Sequence, residues 1–254
     1  MCTVTLVPIP GQSGGPAGMR VMCSRDELRN RPPALPPVQQ TFAPTRALFP
    51  IDPISGGTWI AVNNAGLVMV LLNRNPTDTR GIVFQGKLSR GGIIPSLLHA
   101  ESLSQALAYV EQIDNAPFPP FRLVLSDARS LIDVKGGGGG SLSIQQNPFA
   151  SPQMFTSSGL GDGLVEQPRR DLFTEMFSDD SKSWHSTQEA FHGHQWDDRP
   201  ELSVAMERED AMTVSVTTIN VSAETVTLIY HPAPPRVESK KHVVKLQITR
   251  AARL

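Results

Sequence analysis

The sequence predicts an α+β protein of stacked layers, and three observations carry that expectation. Gly (20) and Pro (22) make up about a sixth of the 254 residues, so many turns separate short elements, as in β-rich domains. Leu67-Val68-Met69-Val70-Leu71-Leu72 is continuously apolar, the pattern of a strand covered on both faces. From Ser96 onward, Leu97, Leu98, Leu103, Ala106, Leu107, Val110 and Ile113 recur at three- and four-residue steps, which marks an amphipathic helix suited to be one of the covers.

The elements follow in order. Cys2-Thr3-Val4-Thr5-Leu6-Val7 and Met19-Arg20-Val21-Met22-Cys23 read as a hairpin across the turn residues Pro8 to Gly18. Asn30 to Pro53 holds Pro32-Pro33 and Pro36-Pro37, whose missing N–H groups and restricted φ predict an ordered crossing loop without sheet or helix. Thr58 to Val62 and Leu67 to Leu72 flank Asn63-Asn64-Ala65-Gly66, the strongest hairpin signal in the chain. Phe121 to Val134 reads as a strand pair, and Leu142 to Ile144 as a further strand. The run Gly136 to Gly140 between them is a mobile hairpin tip, because Ser141 stands where a phosphate loop needs Lys and Ser or Thr, and no helix follows. Pro168 to Phe177 and Ser186 to His194 are short helices, and Met212 to Val221, Thr225 to Tyr230 and His242 to Ile248 are strands.

Composition limits the function. A content of 39% hydrophobic and 19% charged residues suits one large domain or two small ones, and with no internal repeat and no convincing linker the chain is read as one domain over residues 1–254. Lys plus Arg number 23 against 24 Asp plus Glu, a formal charge of -1, so the basic field of a nucleic-acid binder is missing. No apolar run reaches the roughly 18–20 residues that span a bilayer, and the first residues lack a signal-peptide layout, so a cytoplasmic location is expected. The two cysteines, Cys2 and Cys23, make neither a disulfide framework nor a zinc motif. His192 and His194 diverge by about 200° on a helix and cannot share a metal, and Asp197-Asp198 is a solvated turn. No cofactor and no metal is expected, and the oligomeric state stays open.

Cys2 is the most specific single feature. Removal of Met1 leaves a residue that joins a thiol nucleophile to its own α-amine base, whose unperturbed pKa values of about 8.5 and about 7.7–8.0 lie close to neutrality. Further on come Cys23-Ser24-Arg25-Asp26-Glu27, Arg31-Pro32, Gly56-Gly57-Thr58-Trp59, an Asn63-x-x-Gly66 turn and Leu72-Asn73. In these motifs the chain resembles the NRDE family, also called the transport and Golgi organisation 2 family, with weaker similarity over Thr156 to Gly163 and Arg208 to Ser215. That family in turn is similar to the N-terminal-nucleophile hydrolases of the bile-salt hydrolase and penicillin acylase group.

The resemblance implies a four-layer αββα sandwich of antiparallel sheets and a cysteine hydrolase of non-peptide amide C–N bonds. It implies that Cys2 attacks a carbonyl, Asp26 orients the Cys2 amine and Asn73 stabilises the oxyanion. Arg25, Asn63, Ser157 and Arg208 are supporting candidates on the same ground. The partner is then a small-molecule amide. The alternative, drawn from eukaryotic relatives, is a non-catalytic trafficking or carrier protein for haem or a lipid-like, hydrophobic ligand.

Three positions differ from those families. Ser24 stands for the Asn that opens the four-residue motif, Ser157 for a second oxyanion asparagine, and Cys23 for an arginine beside the nucleophile. Strand alternation makes Cys23 a core residue, whereas the resemblance puts it next to Cys2. Trp59 is expected as a core anchor with its N–H satisfied, and Arg25 and Glu27 either support the site or form an ion pair.

Overall fold

The computed structural model describes residues 2–11, 16–76, 87–178 and 183–249. In chain order the strands are β1 (Cys2–Pro10), β2 (Pro16–Leu28), β3 (Leu35–Phe42), β4 (Thr45–Ile51), β5 (Ile60–Asn63), β6 (Val68–Asn73), β7 (Phe121–Ser126), β8 (Ser130–Gly136), β9 (Ser143–Pro148), β10 (Gln153–Thr156), β11 (Ala211–Val221), β12 (Thr225–His231) and β13 (His242–Gln247). The helices are α1 (Ile93–Leu97), α2 (Leu103–Glu111), α3 (Asp162–Phe177) and α4 (Trp184–His192). One sheet runs β10-β1-β2-β11-β12-β13 and the other is a meander in the order β3 to β9, and every pairing is antiparallel.

Alternation along each strand builds the layers. In β1, Val4 and Leu6 enter the core between the sheets, where they meet Val62, Val68, Val70 and Leu72 of the other sheet. Thr3 and Thr5 point the opposite way, toward α3 and α4. The run Leu67 to Leu72 is indeed covered on both faces. Val68, Val70 and Leu72 belong to the inter-sheet core, while Leu67, Met69 and Leu71 pack with Ile93, Leu97, Leu103 and Ala106 of α1 and α2. The result is the αββα sandwich.

The two outer interfaces differ in chemistry. That of α1 and α2 is apolar, whereas α3 and α4 dock largely through buried polar side chains. Arg169 of α3 donates to Thr3 Oγ1, Thr156 Oγ1 and the Leu202 and Ser203 carbonyls. Gln188 of α4 donates to the Thr5 carbonyl and hydroxyl. His192 sits fully buried between Thr5 Oγ1 and Ser24 Oγ, each 2.8 Å from a ring nitrogen. Burial, with Arg20 and Arg169 nearby, pushes its pKa down to about 3, so the ring is neutral and uses one nitrogen as donor and one as acceptor. Ser24 therefore fastens α4 to the sheet.

Four expectations need correction. The proline-rich stretch carries two strands, because β3 is a sheet edge where an absent N–H faces no partner strand. Its register jumps from Leu35–Ile51 to Val38–Phe49, passing over Pro36-Pro37. The periodic stretch after Ser96 is two helices rather than one. Between them the Leu98 and Ala100 carbonyls accept the Asn63 amide, and Ser102 starts α2 by accepting the Gln105 N–H. The helix predicted from Pro168 begins six residues earlier, with Pro168 inside it. The glycine segment joins β8 to β9 as expected but is tied down, with Gly137 N–H donating to Asn115 and Gly138 N–H to the Phe118 carbonyl. In the first hairpin the strands extend to Pro10 and from Pro16, and positions 12–15 of its turn lie outside the described residues. No helix among the described residues is long and apolar enough to cross a bilayer.

Candidate active site

Cys2 opens β1, the second strand of the six-stranded sheet, opposite Arg25 on β2 and beside the end of the edge strand β10. Its carbonyl accepts the Ser157 N–H at 3.0 Å, and its nitrogen donates to Ser157 Oγ at 3.3 Å. The first residue of the strand is thus gripped on both backbone groups. With Val4 paired to Cys23, alternation sends Cys2, Cys23 and Arg25 to the same inner face. Cys23 is fully buried in the inter-sheet core and its thiol acts on that of its neighbour Cys2, so both sequence readings of Cys23 hold at once.

That contact sets the acidity of the nucleophile candidate. The Cys2 thiol is held below its ordinary value, first by the hydrogen bond from Cys23 and also by the Arg25 charge, against burial and the Asp26 charge. The Cys23 thiol is pushed well up by burial and by its neighbour Cys2. A weakly acidic S–H therefore stands where the resemblance has a cation, and it stabilises the Cys2 thiolate as a donor. Cys23→Ala is expected to move the pH midpoint of Cys2 alkylation upward and slow the reaction at neutral pH, while Cys23→Ser restores part of the shift. Alkylation by iodoacetamide across pH, read by mass, checks this; an unmoved midpoint in Cys23→Ala contradicts it.

Asp26 follows Arg25 at a β-bulge, where Val214 is the extra residue between the Asp26–Thr213 and Arg25–Ser215 pairs. The carboxylate is almost wholly buried and accepts Thr213 Oγ1 at 2.6 Å. Burial raises its pKa, opposed by Arg169, by the Thr213 hydrogen bond and by Arg208. Asp26 and Arg25, adjacent in sequence, thus serve different faces.

On the inner side lies a cavity of about 220 Å³ with Cys2 in its wall. Arg25 crosses it, with its guanidinium carbon 4.5 Å from the Trp59 ring centroid and Nη2 3.1 Å from Asp52 Oδ2. Arg31 reaches the same Asp52 oxygen at 2.6 Å, and Glu27 lies 3.4 Å from both arginines. Burial works to raise the Asp52 carboxyl, yet hydrogen bonds from Arg31 and the Ile54 N–H, with the charges of Arg31 and Arg25, hold it below the usual range. Arg25 and Glu27 are therefore both an ion pair and part of the cavity wall. The second glycine of Gly56-Gly57-Thr58-Trp59 is needed for close approach, since a Cβ on Gly57 would lie 2.2 Å from the Gly91 carbonyl oxygen. Trp59 is a core anchor as expected, but its buried indole N–H has no acceptor among the described residues.

Asn73 ends β6 half-buried in the cavity wall, and its side-chain amide has no protein partner among the described residues. The other candidates sit elsewhere. Asn63 is fully buried in the β5–β6 turn, where it accepts the Ala65 and Leu67 N–H groups. Ser157 Oγ accepts the Cys2 N–H, and Ser157 is not part of the cavity wall. Arg208 pairs with Asp210 at 3.1 Å and reaches Asp26 through its charge. Sequence reasoning missed Asp52, Arg90 and Arg169. Asp52 lay inside a stretch read as loop, and Arg90 and Arg169 belong to no motif that marks them. Among the described residues no group of His, Cys, Asp and Glu could hold a metal ion.

The αββα sandwich of two antiparallel sheets is the fold of the N-terminal-nucleophile hydrolases. Solved structures agree. An N-acylethanolamine-hydrolyzing acid amidase ortholog from Caenorhabditis elegans matches with a TM-score of 0.55 at 11% identity, over 85% of this chain and 92% of that one. A mutant conjugated bile acid hydrolase from Clostridium perfringens matches at 0.52 and 13%, over 95% and 92%, and a second variant of it at 0.53 and 12%, over 94% and 92%. At such identities the likeness is one of fold. In sequence, residues 20–222 match the family described as Transport and Golgi organisation 2, and the chain belongs to that family. No curated protein matches it.

Proposed function

We propose that this protein is a cysteine amidohydrolase acting on a small non-peptide amide, with Cys2 as the nucleophile once Met1 is removed. The observation that carries the reading is the placement of Cys2: its sulfur is held below its ordinary pKa and faces a cavity, its nitrogen is gripped by Ser157, and the Asp26 charge is felt at its thiol. The Cys2 sulfur attacks the amide carbonyl while its α-amine takes the thiol proton. Asn73 donates to the oxyanion, and collapse passes the proton to the leaving amine, giving a thioester. Water, deprotonated by the same amine, then releases the carboxylic acid and restores the thiol. Asp26 holds the amine, and Thr213 and Arg169 hold Asp26.

The cavity favours this reading over a carrier of haem or lipid. It is smaller than the roughly 300–1,000 Å³ of most ligand pockets and carries Arg25, Glu27, Arg31, Asp52 and Arg90 in its wall, so an extended apolar ligand finds little surface there. The test is intact mass together with exposure to a library of acyl amides. The expected result is loss of one methionine, covalent acyl mass on Cys2, and faster labelling of Cys2 than of Cys23 by a thiol electrophile. Retention of Met1 in a processing-competent host, or an inert Cys2, overturns the proposal.

A further inference from the structure

The charges around the cavity do not balance. Arg25 and Arg31 are matched by Asp52 and Glu27. Arg90, in the same wall, has no carboxylate partner among the described residues. Among the described residues its side chain makes a single hydrogen bond, from Nη1 to the Pro120 carbonyl at 2.8 Å, which uses one of the five N–H donors of a guanidinium. Burial lowers its pKa, with no anion to offset the desolvation.

The position of this cation is fixed. Arg90 begins a 3-10 turn whose Gly91 carbonyl accepts the Thr58 N–H at 3.1 Å and lies against Gly57. The Pro120 carbonyl that holds Arg90 also accepts the Arg74 N–H at 3.0 Å, directly after Asn73, and Asn73 pairs with Phe121. The unmatched guanidinium is therefore tied to the strand end that presents the oxyanion donor. The orphan indole N–H of Trp59 adds a second donor in the wall without a protein acceptor.

We propose, on the hydrolase reading above, that Arg90 is a specificity-determining residue that receives an anionic group of the substrate, which is accordingly a small amide bearing a carboxylate. A volume of about 220 Å³ has room for several waters or for a compact molecule with its carboxylate at Arg90 and its carbonyl at Cys2. A neutral substrate would leave the cation buried against the wall with its donors unmatched, which is costly in a partly desolvated site.

A matched pair of thiol reagents tests this without knowledge of the substrate. Iodoacetate and iodoacetamide both alkylate a thiolate, forming an S–C bond and releasing iodide, and differ by one negative charge. The iodoacetate-to-iodoacetamide rate ratio at Cys2, divided by the same ratio for a free small thiol, is expected to be raised by up to about fivefold, the upper end for one solvent-accessible ion pair. It should fall to the free-thiol value in Arg90→Gln and survive in Arg90→Lys. Arg46→Gln, which removes the same charge from an exposed position on β4, should leave it raised. In the unsubstituted protein added salt should also reduce it, a readout that holds even if Arg90→Gln fails to fold. A free-thiol ratio in the unsubstituted protein, or a raised ratio that Arg90→Gln does not change, overturns the assignment and leaves the nucleophile standing. A folded protein whose Cys2 reacts with neither reagent overturns the hydrolase reading itself.

Discussion

Arg169→Ala is expected to lower the free energy of unfolding by about 3–5 kcal/mol, through unmet buried acceptors and lost side-chain volume. Arg169 is among the largest fully buried side chains and satisfies the Leu202 and Ser203 carbonyls together with the Thr3 and Thr156 hydroxyls. Those hydroxyls also lie 3.0 Å from each other and can share a proton, so the carbonyls are left most exposed to loss. Arg169→Met fills more of the volume and restores no donor, which separates packing from hydrogen bonding. Urea unfolding of the three proteins measures both, and a loss below about 1 kcal/mol, the worth of one ordinary hydrogen bond, would contradict the account. The effect reaches the site as well. Arg169 bonds Thr3, next to Cys2, and its charge opposes the upward shift of Asp26, so its removal should raise the Asp26 carboxyl further.

Asn73→Ala is expected to slow acylation of Cys2 by about 10²–10³-fold, the usual effect of deleting one oxyanion donor. The measurement is single-turnover acylation by short acyl 4-nitroanilides, with iodoacetamide alkylation as its control. Alkylation passes through no tetrahedral oxyanion, so Asn73→Ala should leave that rate near the unsubstituted value. A parallel fall in both rates would mean that Asn73 supports the cavity rather than the oxyanion. Equal acylation rates with and without the amide would remove Asn73 from the mechanism.

Much of this architecture was legible in the chain. Strand alternation placed Cys23 in the core, and the continuous apolar run Leu67 to Leu72 announced a strand with two covers. Local patterns failed where tertiary position changed their meaning. Pro36-Pro37 excludes a central strand and not an edge, and nothing local says which strand becomes the edge. The periodicity after Ser96 was that of one helix, and a distant asparagine, Asn63, took up the carbonyls at its break. The motif residues behaved similarly. Asn63 belongs to a turn, and Arg25 and Trp59, read separately, stack in one cavity wall.

By itself the sequence determined a layered α+β class and the strand that carries Cys2, and its motifs, through the resemblance, pointed to the αββα sandwich. It could do so because alternation, turn residues and short motifs act over a few residues. Only the tertiary structure decided that the Cys23 thiol acts on that of Cys2, that Ser157 serves a nitrogen, that Asp52 joins two arginines, and that Arg90 has no counter-charge among the described residues. Those facts are distances and charge balances between residues far apart in the chain, and burial, which sets what each charge costs, exists only once the sheets have closed on one another.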